Sequence, residues 1–139
     1  MPVSIHATLD APIEQVWALI SDFGNLMRWH PQLERCEIEG EGIGARRSVH
    51  FADWWAVEEL TAFDDEQHTL CYLVVDSSRP PVIGGRGCMT LSVESAGRTR
   101  IDWVSGLPDD AEHAATVNAG LEAYYPVRIG HLKEALGVA

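Results

Sequence analysis

From Glu34 to Gly106 the chain alternates apolar and polar residues in six short runs, at about 34–39, 45–52, 55–63, 69–76, 87–95 and 98–106. Clusters rich in turn formers separate them: Gly40 to Gly44, Asp53-Trp54, Asp64 to Gln67, Ser77 to Gly85 and Ala96-Gly97. Alternation sends successive side chains to opposite faces of a strand, and links this short join consecutive strands edge to edge. An antiparallel meander follows. Val3, Ile5, Ala7 and Leu9 alternate with Ser4, His6 and Thr8, which adds a strand at the N-terminal end.

Helical periodicity flanks the meander. Ile13, Val16, Trp17 and Ile20 recur at helical spacing behind Asp10-Ala11-Pro12, so Asp10 is expected as N-cap with Pro12 near the first helical position. Ser21-Asp22 opens a second short helix that must end before Pro31. From about Asp109 to Leu136 a third helix is expected, with Asp109, Asp110 and Glu112 against its N-terminal dipole. Its apolar stripe is Ala114, Val117, Leu121, Tyr125, Leu132 and Leu136. At ~1.5 Å per residue the segment reaches ~40 Å, enough to cross a sheet. Pro126 is expected to bend it, since proline removes a backbone donor and clashes with the preceding turn. With 139 residues and no linker, repeat or low-complexity tract, residues 1–139 read as one α+β domain.

Charge narrows the function. Ten Lys+Arg against 21 Asp+Glu give a net charge of -11, a surface that repels phosphate backbones and anionic lipid headgroups. No apolar run approaches the ~20 residues of a membrane span, and the first residues lack the basic and apolar regions of a signal peptide. A cytoplasmic location is the expectation. Cys36, Cys71 and Cys88 are odd in number and widely spaced, and are expected as free thiols buried like small hydrophobes. The six histidines, at 6, 30, 50, 68, 113 and 131, show no metal-ligand spacing. Gly84-Gly85-Arg86-Gly87 lacks the lysine of a phosphate loop, and no G-x-S-x-G elbow occurs. No metal or cofactor is expected.

One hairpin puts charge where the core should be. If Asp53-Trp54 are its turn, Val49 opposes Glu58 and Arg47 opposes Leu60. One face then carries Arg47, Val49, Phe51, Ala56, Glu58 and Leu60, and the other Arg46, Ser48, His50, Val57, Glu59 and Thr61. The first face is the apolar one, so Arg47 and Glu58 point inward. Buried charges persist when paired, hydrogen-bonded or reached by water. The two either pair and hold the strands together or line a solvated hollow, and both can be true.

The residues also resemble the START/Bet v 1-like (SRPBCC) superfamily, in particular its polyketide cyclase/dehydrase-like branch. The resemblance runs through Asp10-Ala11-Pro12-Ile13-Glu14-Gln15-Val16-Trp17, Asp22-Phe23-Gly24, Trp29-His30-Pro31 and Gly42-Ile43-Gly44-Ala45-Arg46-Arg47. It continues with Glu58, Leu60 and Asp64 in E-x-L-x-x-x-D spacing, then Tyr72, Trp103 and Gly130-His131-Leu132-Lys133. Two loops depart from it: Asp53-Trp54-Trp55 stands where relatives often have a glycine turn, and Gly84-Gly85-Arg86-Gly87 replaces an aromatic segment after Pro80-Pro81-Val82. The resemblance implies a helix-grip fold, in which a bent antiparallel sheet of about seven strands wraps around a long C-terminal helix, with two short helices after the first strand. It also implies an internal cavity for a small apolar molecule.

On that basis the expected function is a carrier or sensor, monomer or homodimer, for a small hydrophobic or aromatic ligand. Trp29, Phe51, Trp55, Trp103, Leu121, Tyr124 and Tyr125 are its candidate contacts, each of which core packing would also explain. The alternative is a cyclase/aromatase or dehydratase, with Arg47 and Glu58 polarising a carbonyl and Tyr72 or His30 moving protons. His30 could equally serve only as a local hydrogen-bonding group. A third possibility is an interaction domain whose interior is filled.

Overall fold

The computed structural model describes residues 2–139. Strand β1 (Val3–Leu9) leads into helix α1 (Ile13–Ile20) and a 3-10 helix (Phe23–Arg28). The meander follows as β2 (Arg35–Glu39), β3 (Arg46–His50), β4 (Trp55–Asp64), β5 (Thr69–Ser77), β6 (Arg86–Ser95) and β7 (Arg98–Gly106), and helix α2 (Ala114–Leu136) closes the chain. The strands form one seven-stranded antiparallel sheet in the order β1-β7-β6-β5-β4-β3-β2. Irregular register at Val57/Glu58 and Leu60/Ala62 of β4 and at Val93/Ser95 of β6 interrupts the ladders; such bulges bend strands and let a sheet curl. This is the helix-grip architecture expected from the sequence.

Packing between sheet and helices is uneven. Leu9, Val16, Leu70, Ile101 and Leu132, drawn from β1, α1, β5, β7 and α2, are fully buried. Each such side chain contributes roughly 1.5–3 kcal/mol relative to exposure. Thr99, also fully buried, donates its hydroxyl to the Ala11 carbonyl at 2.7 Å and ties β7 to the entry of α1. Ile129 and Leu132 of α2 belong to this solid core. The preceding turns of α2 face the hollow described below.

Several local expectations are corrected. Asp10 does not cap α1: Pro12 occupies that position, and the Asp10 carboxylate instead accepts from Arg98 Nε at 2.9 Å. The terminal helix begins at Ala114, five residues after Asp109, with His113 as its cap, and contains Pro126. Asn118 and Arg128 are buried along with Tyr125 and Leu132, whereas Val117, Leu121 and Leu136 are only partly covered.

The hairpin between β3 and β4 is displaced by two residues from the sequence reading: Arg47 opposes Glu58, and Val49 opposes Ala56. Asp-Trp lacks the positive-φ preference that a two-residue turn demands. Residues 51–54 form a four-residue connection instead, closed by the Phe51 N–H donating to the Trp54 carbonyl at 2.8 Å. An even displacement leaves every side chain on its expected face.

The cysteines also differ from expectation. Cys71 and Cys88 are directly opposed on β5 and β6 and are joined as a disulfide. Both lie half-buried, and Cys36 alone is free. Cross-strand register, which spacing alone does not reveal, brings them together.

Candidate functional site

Along β4, β5 and β7, residues two apart share the inner face, which lines up Ala56 and Glu58, then Leu70, Tyr72 and Val74, then Trp103 and Ser105. Above them α2 presents Val117, Leu121, Tyr124, Tyr125 and Arg128, at the i, i+4, i+7 spacing of one helical face. Together with Trp29, His30 and the β3–β4 connection these groups enclose a cavity of about 170 Å³.

Glycines allow close packing beside it. Gly87 of β6 lies beneath the Tyr72 ring, where a Cβ would collide with it, and Gly106 takes a φ of +131° beside the Asn118 amide. Asn118 accepts from the Leu107 N–H at 2.8 Å and donates to the Leu107 carbonyl at 3.0 Å, so the end of β7 is fastened to α2.

Two polar clusters face the hollow. In the first, Arg47 Nε donates to Glu58 Oε1 at 2.7 Å, with side chains only 8% and 16% exposed. Arg47 Nη1 also donates to the Phe23 carbonyl at 3.2 Å, and its guanidinium lies 4.0 Å from the centre of the Phe23 ring. The arginine is thus held by an anion, a carbonyl and an aromatic face. Nearby, Trp103 Nε1 donates to Tyr72 Oη at 3.2 Å, and the Tyr125 hydroxyl donates to Ser105 Oγ. Burial pushes the pKa of both tyrosines up, with Glu58 adding to the effect at Tyr72 and Tyr72 adding to it at Tyr125. Both hydroxyls keep their protons at neutral pH.

The second cluster joins the loop after the 3-10 helix to α2. His30 Nε2 sits 3.0 Å from Tyr124 Oη, which also donates to Gln32 Oε1 at 3.3 Å. His30 Nδ1 is buried and has no partner among the described residues. Burial, followed by the charges of Arg128, His131 and Arg47, lowers the His30 pKa to about 3, so the ring is neutral. Arg128 donates from Nη1 to the Trp29 carbonyl and toward His131 Nδ1, both at 3.1 Å, and stacks 4.0 Å over the Trp29 ring. Burial draws the Arg128 pKa down to about 10, still well above neutrality.

Of the residues singled out from sequence, Arg47, Glu58, His30, Tyr72, Trp29, Phe51, Trp103, Leu121, Tyr124 and Tyr125 line this one cavity. Trp55 does not. It pairs with His50 on the outer face of the hairpin, and Trp54 takes the lining position, its ring stacked 4.4 Å from Phe51. Face alternation already placed position 55 opposite to Ala56 and Glu58. Arg128 was overlooked, although a cation three residues after Tyr125 and four before Leu132 interrupts an apolar stripe. Among the described residues no group of three His, Cys, Asp or Glu side chains could hold a metal ion. No helix is long and apolar enough to cross a membrane.

Comparison with known proteins places this geometry. The family model for polyketide cyclase/dehydrase and lipid transport proteins matches residues 2–137. The abscisic acid receptor PYL7 of Arabidopsis thaliana is 31% identical over 67 residues, a match covering 45% of this chain and 32% of the receptor. The chain thus spans about a third of that receptor's length. An uncharacterised protein from Bacillus thuringiensis superposes with a TM-score of 0.83 at 18% identity, over 97% of this chain and 98% of its own. Ara h 8.0201 does so with a TM-score of 0.79 at 15% identity, over 99% and 98%. At such identities the structures show a shared fold.

Proposed function

The chain belongs to the polyketide cyclase/dehydrase and lipid transport family of the SRPBCC superfamily, and on that premise we propose that it is a carrier or sensor which binds a small apolar or aromatic molecule between the sheet and α2. One observation carries the reading: an internal space walled mainly by Leu, Val, Met, Phe, Trp and Tyr side chains, with a few convergent polar groups. Ligand sites have that composition. The volume of about 170 Å³ is comparable to the ~150 Å³ apolar cavity that takes up benzene, so a single ring or a short chain fits without rearrangement.

Proton transfer receives less support from the same geometry. A histidine held near a pKa of 3 is a weak base at neutral pH, and Glu58 is already engaged by Arg47. Thermal-shift screening and calorimetry against single-ring aromatics, medium-chain fatty acids, flavonoids and polyketides test the binding reading. The expected result is saturable stabilisation by a compact apolar compound, abolished when Leu121→Trp fills the hollow. No stabilisation by any class, with the Leu121→Trp protein indistinguishable from wild type, overturns it.

A further inference from the structure

Charge inside the cavity does not balance. Arg47 and Glu58 cancel each other at 2.7 Å. Arg128 is only 3% exposed, and among the described residues no carboxylate lies within ion-pair distance of it. Its Nη1 is used by the Trp29 carbonyl and His131 Nδ1, while Nε and Nη2 have no acceptor among the described residues. A buried cation without a counter-charge is costly, and folds rarely retain one without a role for it. This one persists in a chain carrying 21 acidic residues.

Beside it lies a second unfilled position. His30 is 4% exposed and lines the same cavity, with Nδ1 buried and unpartnered. Tyr124 gives its one hydroxyl proton to Gln32 Oε1, so its oxygen accepts from His30 Nε2–H and the neutral ring turns the bare Nδ1 lone pair toward the hollow. Arg128 thus leaves hydrogen-bond donors and a buried positive charge without a carboxylate at this end of the space. The planar guanidinium edge matches a carboxylate better than a spherical anion.

We propose that the cavity selects a monoanionic amphipathic ligand, a single-ring aromatic or short aliphatic monocarboxylic acid. Its carboxylate sits against the free Nε and Nη2 of Arg128, and its apolar body lies toward Phe51, Met89 and Leu121. This deepens the binding reading above and rests on it. The size of the hollow limits the body to about one ring. The acid enters as its carboxylate, so binding needs no proton transfer and becomes independent of pH above the acid's own pKa.

The test compares matched pairs in which only the charge differs: 3-phenylpropanoate against 3-phenylpropanamide, and hexanoate against hexanamide. Calorimetry at pH 7.5 is run on the wild type, on Arg128→Met and on Arg128→Lys. The wild type is expected to bind each acid 10- to 100-fold more tightly than its amide. In Arg128→Met that preference falls to about onefold, and Arg128→Lys restores part of it. Should Arg128→Met not fold, the wild type alone decides: acid affinity must follow the ionised fraction of the ligand between pH 4 and 6, about where carboxyls titrate, while amide affinity does not. Equal binding of acid and amide overturns the charge assignment and leaves the cavity reading standing. An acid preference that survives in Arg128→Met overturns the role of Arg128. Absence of binding by every member of both pairs overturns this proposal together with the binding reading beneath it.

Discussion

Converting Glu58 to Gln removes the carboxylate that meets Arg47 and leaves a guanidinium facing the cavity without a counter-charge, held by the Phe23 carbonyl and the Phe23 and Tyr72 rings. The structure sets the size of the effect. Two unit charges ~4 Å apart at an effective dielectric of ~20 attract by about 4 kcal/mol. Breaking a fully buried pair by deleting one partner costs roughly 3–5 kcal/mol. Glu58 keeps 16% of its side chain exposed, and Gln can still accept a hydrogen bond from Nε. The expected loss is therefore about 2 kcal/mol for Glu58→Gln. Arg47→Met should lose about 3 kcal/mol, because the Glu58 carboxylate and the Phe23 carbonyl then both lack their donor. Met fills a similar volume, so the double variant Arg47→Met/Glu58→Leu removes the desolvation of both ions and should lie within about 1 kcal/mol of the wild type. Urea unfolding at pH 7.5, followed by circular dichroism and tryptophan fluorescence with m-values compared, measures all three. A double variant that loses as much as Arg47→Met alone, or more, would show that removing the second ion relieves nothing and refute the argument.

Two further outcomes follow from the same geometry. A Cβ at position 87 collides with the Tyr72 ring, so Gly87→Ala must push that ring off its hydrogen bond with Trp103; overpacking of this kind costs about 1–3 kcal/mol, and Gly87→Ala/Tyr72→Leu should recover most of it, as urea melts of both will show. His30 gives a pH dependence of known sign. Its pKa is lowered from 6.5 to about 3 on folding, so between those values the unfolded chain binds a proton that the native one does not, and stability falls as pH drops below about 6.5. At pH 5 the His30 contribution to this loss is at most about 2 kcal/mol. His30→Asn should show a correspondingly shallower decline between pH 7.5 and 5, and parallel profiles for the two proteins would remove His30 as the cause.

Alternation and turn chemistry made nearly the whole fold legible. All seven strands fall within two residues of their expected bounds, because an interior face against α2 and a solvent face impose period two. The inner face of the β3–β4 hairpin was legible as well, and its identity outlived an error in register, since a two-residue displacement preserves faces. What stayed hidden depended on distance in three dimensions. Register decides that Arg47 meets Glu58 and not Leu60, and that Cys71 meets Cys88. Capping failed where a tertiary partner outbid a local one, as when Arg98 drew Asp10 away from α1. Arg128 was hidden for another reason: on a helix whose apolar stripe is interrupted by Gly120, Pro126 and Gly130, a cation in the stripe looks like one more irregularity. Only the surrounding rings and the missing carboxylate distinguish it from a surface arginine.

Charged side chains on its lining oppose collapse of the hollow. A void lined by leucine alone invites collapse or filling, because each added contact restores dispersion energy and nothing opposes it. Here Arg47, Glu58, His30 and Arg128 stand on three sides, fixed to β3, β4, the loop before Pro31 and α2. Closing the space over them would desolvate charge that the present arrangement leaves partly reachable by water or by a ligand. The same substitution that makes the interior comfortable, an apolar residue in place of Arg128, should therefore raise the stability of the empty protein and abolish its preference for acids. Gain of stability with loss of discrimination at one residue is the pattern expected when a fold keeps a strained group for its site, and it separates that role from ordinary core packing, where both would fall together.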